Sequence, residues 1–313
     1  MALHRLTQIV MGVPNVDQTA AYYEDFGLTP TGSPGEGKSF ATVEGGEQLR
    51  IVQTARRRLV QLGVGADDAD DLGRIASSLD KLGVAFERTD TSLSALDPGT
   101  QVTVRVEIAD RIAQAPPNQA IYNAPGLVNR PGDRADGILR EDRVRPRKLG
   151  HVVVGSTDQE TSQRFFNEGL GFKVSDSVEG MAAFMRCSTD HHNVLIQRAP
   201  VQFLHHTSWQ VNDVDDVGRG ATAMLATDPD RHTWGLGRHF IGSNFFWYLK
   251  DPAGNFSEYY ADMDCIVDDA LWKPGVWEAA KSLYSWGPPP PPSFLAPEDL
   301  ASMMTGAHAP DGH

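Results

Sequence analysis

The sequence predicts a mixed α+β fold of two homologous βαβββ-type halves followed by a C-terminal tail. The first observation behind this is an internal repeat, since Leu6-Thr7-Gln8-Ile9-Val10-Met11-Gly12 has a counterpart in Leu149-Gly150-His151-Val152-Val153-Val154-Gly155. The second is that both copies continue alike, through a helical stretch, a glycine turn and an Asp-Pro turn. The third is a polar, Pro- and Arg-rich segment at 129–148 that lacks apolar periodicity and reads as an exposed linker between them. A chain of 313 residues is also longer than one small core accommodates, so two domains is the natural division.

Each copy opens on a β-branched strand, the residue type that suits a pleated surface. A helical stretch with paired aromatics follows, Tyr22-Tyr23 in one copy and Phe165-Phe166 in the other, and each stops at a Gly-containing turn, Phe26-Gly27-Leu28 or Leu170-Gly171-Phe172. Asp70-Asp71-Leu72-Gly73-Arg74 then matches Asp215-Asp216-Val217-Gly218-Arg219, and both open helices with acids in the first turn. Asp97-Pro98-Gly99 matches the Asp251-Pro252 turn. In the second copy that turn, Asp251 to Asn255, joins an aromatic strand at Phe245–Leu249 to another at Phe256–Tyr260. The divisions are therefore residues 1–128, a linker at 129–148, a second domain at 149–264 and a tail at 265–313. The tail carries Trp272, Trp277 and Trp286, then Pro288 to Pro292, expected as a stiff polyproline II rod over the surface rather than a packed element. The last residues, from about Thr305, are expected to fray.

Composition narrows the partners. A net charge of -13 argues against a nucleic-acid backbone, which needs clustered Lys and Arg. No apolar run reaches bilayer-spanning length, and the N-terminus lacks the pattern of a signal peptide. With only Cys187 and Cys265 present, a disulfide framework is not expected and a reducing cytoplasm is the default setting. The expected partner is a small molecule.

The two copies differ where chemistry would sit. His151 stands where the first copy has Gln8, and His206 stands where the first copy, counting back from the Asp-Asp-hydrophobe-Gly-Arg match, has Gln61. The first copy has no carboxylate at the distance past its Asp-Pro turn that Glu258 occupies. Seven of the ten histidines, at 151, 191, 192, 205, 206, 232 and 239, lie in the second copy. The first copy keeps the scaffold and lacks the site, so residues 1–128 read as non-catalytic. Glu258, on an aromatic-rich strand, is costly to bury unless a cation neutralises it. Two imidazoles and one carboxylate would leave a face of an octahedral ion open, a set that suits Fe(II) and oxygen chemistry. Because strand side chains alternate between faces, only one of His205 and His206 is expected inside, and the repeat does not decide which. Taken singly, each of these histidines is more often a hydrogen-bonded core or surface residue; the joint pattern with an empty counterpart reverses that.

The run from His239 through Tyr248 and Asp251-Pro252-Ala253-Gly254 to Glu258 resembles the signature of type I extradiol ring-cleavage dioxygenases of the vicinal oxygen chelate superfamily. Trp247 stands where an aliphatic residue or Phe is usual, a departure that touches local packing. The resemblance extends to Leu149-Gly150-His151, Asp190-His191-His192-Asn193 and Leu204-His205-His206, so it spans nearly all of 149–260. It implies that each half is a half-open β-barrel, and it selects His206 of the adjacent pair. It implies that His151, His206 and Glu258 hold Fe(II), or less often Mn(II), which a catechol chelates through both oxygens beside dioxygen. His192 matches the family's acid-base histidine, which stabilises charge growing on oxygen and then returns a proton. His239 and Tyr248 match the pair that hydrogen-bonds the substrate oxygens. The implied product is a muconic semialdehyde-type compound, cleaved beside the diol, in aromatic compound degradation. A homo-oligomer, dimer or tetramer, is also implied.

Members that take acidic catechols supply Arg before His239 and from a C-terminal lid, whereas this chain has Trp234 there and, between Trp272 and Trp286, Lys273 and Lys281. A weakly polar or hydrophobic substituted catechol is therefore expected, with the Trp-rich stretch at 271–286 folding over the pocket mouth. His205 and His232 are expected to be structural or surface residues, and Cys187 a small buried hydrophobe. Two competing readings keep the fold and change the function. One is a lyase, epimerase or thiol transferase, whose site usually spans both halves, against which Gln8 and Gln61 tell; the other is a metal-free binding protein.

Overall fold

The computed structural model describes residues 3–32, 35–118 and 120–305. The tip expected to fray, beyond Thr305, lies outside the described residues. The described residues form two sheets, each belonging to one half of the chain. The first comprises β1 (Leu3–Val13), β2 (Thr29–Pro30), β3 (Lys38–Thr42), β4 (Gly46–Gln53), β5 (Arg58–Ala66), β6 (Phe86–Arg88), β7 (Ser92–Leu96) and β8 (Thr103–Ile108), in spatial order β2-β3-β4-β1-β5-β8-β7-β6. The second comprises β9 (Lys148–Ser156), β10 (Lys173–Val178), β11 (Ala182–Arg186), β12 (Val194–Arg198), β13 (Phe203–Gln210), β14 (His232–Arg238), β15 (Phe245–Lys250) and β16 (Phe256–Ala261), with β17 (Gly275–Trp277) from the tail at its edge. Its order is β14-β15-β16-β13-β9-β12-β11-β10-β17.

Each half is itself two βαβββ units. Their helices are α1 (Val16–Asp25), α2 (Ala69–Leu82), α3 (Gln159–Arg164, continued by a wider turn at Phe165–Gly169) and α4 (Val214–Thr227). The acid pairs noted in the sequence fall in the first turns of α2 and α4, and the aspartate before each pair caps its helix: Asp68 accepts from the Asp71 amide at 2.9 Å and Asp213 from the Asp216 amide at 3.0 Å. Gly83, at φ +68°, ends α2 in the left-handed conformation that glycine adopts without strain.

The Asp-Pro turns explain how the halves fit together. Each docks on the start of a helix in the opposite half: Asn15, capping α1, donates to the Pro252 carbonyl at 2.9 Å, and the Thr157 amide, ahead of α3, donates to the Gly99 carbonyl at 3.2 Å. Asp251 holds its own turn by accepting from the Ala253 and Asn255 amides, both at 2.9 Å. Alternation along β16 then splits its side chains between two duties. Ser257 and Tyr259 face α1, where Tyr22 meets Ser257 at 2.5 Å and the Phe26 and Tyr259 rings stack 3.8 Å apart. Glu258 and Tyr260 point the other way, into the second half.

The tail packs more closely than a surface rod. Pro288 to Pro291 do run along the surface, but Pro292 opens a helical turn, α5 (Pro292–Leu295), as proline does at a first helical position. That turn buries Phe294, and α6 (Leu300–Thr305) follows it. Arg57, wholly buried and from the first half, grips the tail by pairing with both carboxylate oxygens of Asp299 at 2.7 and 2.8 Å while also donating to the Leu204 carbonyl. Among the described residues, no helix is long and apolar enough to cross a membrane.

Replacing Phe26 by Ala should cost about 3–5 kcal/mol, the usual loss for a buried phenylalanine, because it empties the space against Tyr259. The urea-unfolding midpoint reads this, and an unchanged midpoint would show that the stack does not join the halves.

Candidate metal centre

Three adjacent central strands bring His151 (β9), His206 (β13) and Glu258 (β16) together, all buried. Register accounts for it: Ser208 pairs with Glu258 on one side and with His151 on the other, so one row of the sheet directs both ligand side chains to the same face. Tyr248 on β15 pairs with Glu258 and extends the row. His206 lies two residues before Ser208 on the same strand. Gly150 is needed for space, because a Cβ there would collide with the Tyr260 ring, which lies 5.6 Å from that of His151.

The donor atoms are close enough for one ion. Glu258 Oε2 lies 3.1 Å from His151 Nε2 and 3.7 Å from His206 Nε2, and the two imidazole nitrogens are 3.4 Å apart. All three separations are below about 4.2 Å, twice a metal–donor bond of about 2.1 Å. Glu258 Oε1 accepts from the Asn244 amide at 3.0 Å, but Oε2 has no hydrogen-bond partner among the described residues. A buried carboxylate oxygen left bare beside two imidazoles is the environment a cation completes. Burial alone would disfavour ionising Glu258, yet His151 and His239 outweigh it and hold the carboxyl well below its ordinary range. Burial, reinforced by the neighbouring His205, pushes His206 well below the usual imidazole value despite Glu258, so it is the neutral form that ligation requires.

The remaining sequence candidates surround this set. The His192 ring lies 4.2 Å from that of His151, and burial, helped by His151 and His191, pushes its pKa well below the ordinary value. His239 accepts at Nε2 from the Tyr248 hydroxyl at 2.8 Å and donates from Nδ1 to the Leu283 carbonyl of the tail at 2.5 Å. Burial and Glu258 raise the Tyr248 phenol well above its ordinary pKa, so it stays protonated. His232, expected at the surface or in a structural role, contacts Trp247 at the rim.

One expectation fails. His205 and His206 do not point oppositely: both are buried, and their Nδ1 atoms are 2.8 Å apart. The pairing of β13 with β9 slips between Leu204 and His206, and this bulge suspends the alternation that would have sent His205 outward. His205 Nε2 reaches the Phe294 carbonyl at 2.8 Å, and burial pushes His205 down to about 4. Sequence reasoning also passed over Asn244, which lies inside the His239-to-Glu258 run, and Asp176, which accepts from His191 Nε2 at 3.0 Å. His191 in turn lies 3.1 Å from His192 through their Nδ1 atoms.

Among the described residues, the first half offers no second centre. Gln8 and Gln61 occupy the imidazole positions, and Gly63 pairs with Arg105 as Ser208 pairs with Glu258. A cation therefore replaces the carboxylate.

Residues 148–259 match the family model of the Glyoxalase/Bleomycin resistance protein/Dioxygenase superfamily. The chain is 30% identical over 306 residues to metapyrocatechase 2 of Cupriavidus necator, covering 94% of this chain and 92% of that protein. It is 26% identical over 269 residues to biphenyl-2,3-diol 1,2-dioxygenase of Pseudomonas sp. (strain KKS102), covering 81% and 87%. In fold it resembles homoprotocatechuate 2,3-dioxygenase of Arthrobacter globiformis, with a TM-score of 0.74 at 18% identity, over 94% of this chain and 91% of that one.

Asn244→Ala should weaken Mn(II) binding to the apoprotein about 10–100-fold, the usual loss when a ligand's hydrogen-bonding support is removed, with the far-UV spectrum unchanged. Wild-type affinity in this variant would show that Asn244 does not orient the carboxylate.

Proposed function

The chain belongs to the extradiol dioxygenases of the Glyoxalase/Bleomycin resistance protein/Dioxygenase superfamily, and on that premise we propose that His151, His206 and Glu258 hold one Fe(II) at which a substituted catechol is opened beside its diol. The observation that carries the site is the bare Oε2 of Glu258 facing the imidazoles of His151 and His206. The mixed nitrogen and oxygen donor set suits Fe(II), with Mn(II) the alternative. The metal, when bound, supplies the Lewis-acidic centre that gathers the diol and dioxygen.

The protein's own groups do the rest. His192, neutral and beside His151, is the base placed to take a proton from the reacting oxygens and give one back. Tyr248 donates to His239, which leaves its phenol oxygen free to accept from a substrate hydroxyl. The Leu283 carbonyl fixes the orientation of His239 from behind. Aromatic rings enclose the region: Phe184 lies 5.1 Å from His192, and Trp234 and Phe294 lie 5.6 and 4.5 Å from Tyr248. They exclude water and favour a weakly polar or hydrophobic ring substituent. Residues 1–128 act as scaffold, consistent with Gln8, Gln61 and Arg105 at the equivalent positions. The family resemblance adds a homo-oligomer, which light scattering would size.

Anaerobic loading with Fe(II), followed by exposure to catechols in air, should give a yellow ring-opened product with one dioxygen consumed per catechol. His206→Ala should lose the metal and all turnover. His192→Asn should keep the metal while kcat falls about 10²–10⁴-fold. Turnover of the His192 variant at the wild-type rate would remove it from the mechanism, and Mn(II) supporting turnover where Fe(II) does not would reassign the metal.

A further inference from the structure

A chain of three hydrogen-bonding groups runs from the C-terminal tail to a ligand of the centre. The Phe294 carbonyl meets His205 Nε2 at 2.8 Å, and His205 Nδ1 meets His206 Nδ1 at 2.8 Å. The far nitrogen of His206, Nε2, is the one that faces Glu258 and His151. We propose that His205 is a positioning residue that fixes the tautomer of His206 and couples the seating of the tail to metal retention. This rests on the reading of His151, His206 and Glu258 as metal ligands.

The order of protons follows from chemistry. A carbonyl only accepts, so His205 carries its proton on Nε2. In a neutral imidazole that leaves Nδ1 as an acceptor, and the adjacent His206 Nδ1 must then be the donor. His206 is thereby held as the Nδ1–H tautomer with the Nε2 lone pair directed at its neighbours in the centre. Metal-bound histidines commonly gain orientation and basicity when their other nitrogen donates to a partner. Here that partner is a second histidine, and its own anchor belongs to the tail.

The anchor is well held. Phe294 is buried, its ring lies 4.8 Å from that of His205 and 5.4 Å from that of Phe256, and Trp234 donates to the Pro288 carbonyl just upstream at 2.7 Å. Downstream, Arg57 grips Asp299 and the carbonyl of Leu204, the residue before His205. The first half therefore contributes to the centre indirectly, by clamping the segment that orients one of its ligands. Linkage requires the converse as well: a metal bound at His206 must favour the seated tail.

Two substitutions separate this role from simple packing. In His205→Asn, Oδ1 takes the place of Nδ1 and accepts from His206, but the side chain is too short to reach Phe294; in His205→Phe, both bonds are lost while the ring volume stays. Titration of the metal-free proteins with Mn(II) should find His205→Phe binding about 10–100-fold more weakly than wild type and His205→Asn within about threefold. Limited proteolysis supplies a readout independent of activity: Mn(II) should slow cleavage in 283–305 of the wild type and have no such effect in either variant. Far-UV spectra confirm that each variant is folded, and an unfolded His205→Phe leaves the Asn variant's loss of protection as the test. If His206→Ala abolishes Mn(II) binding but His205→Phe binds as tightly as wild type, the relay is wrong and the metal site stands. If His206→Ala binds Mn(II) like wild type, the metal site itself is wrong.

Discussion

A carboxylate oxygen sealed from water without a hydrogen bond is the constraint on which this structure depends. Removing an ionised group from solvent costs several kcal/mol unless an opposite charge compensates. Asn244 satisfies one oxygen of Glu258 and leaves the other to face His151 and His206. The surrounding architecture makes that placement unavoidable. Glu258 lies on a central strand, its neighbours Ser257 and Tyr259 are held by α1 on the opposite face, and the strand cannot rotate to release the carboxylate to water.

Duplication gave the molecule two similar sheets, and the two halves carry opposite chemistry on them. Where the second half has two imidazoles and an acid, the first has two glutamines and an arginine. The first half is nonetheless not idle. Its helix α1 braces the strand that carries Glu258, and its Arg57 fastens the tail over the other side of the centre. A scaffold can host many functions, and here one copy supports the site in the other.

The sequence made the repeat, the helix starts and the metal-ligand candidates legible for physical reasons. His151 and Glu258 stood out because the matching positions in the first copy carry no ligand, and Asp70-Asp71 and Asp215-Asp216 announce helices because acids favour a first turn. The misreading of His205 has an equally physical origin: alternation is a rule of regular strands, and the bulge after Leu204 has no residue signature, such as glycine, to mark it. Backbone acceptors were invisible too. Leu283 and Phe294 act on His239 and His205 through carbonyls, which every residue has, so their side chains carry no trace of the role. The short strands β2 and β6, of two and three residues, are below the length at which period-two patterning can be seen, which obscured the two βαβββ units of the first half.

The central claim is that two imidazoles and one carboxylate share a single divalent ion. Anomalous diffraction at the iron edge from anaerobically loaded crystals addresses it most directly. The account predicts one peak at about 2.1 Å from each of His151 Nε2, His206 Nε2 and a Glu258 carboxylate oxygen. A peak bound elsewhere, or a fully loaded protein with no peak among these three side chains, would contradict it.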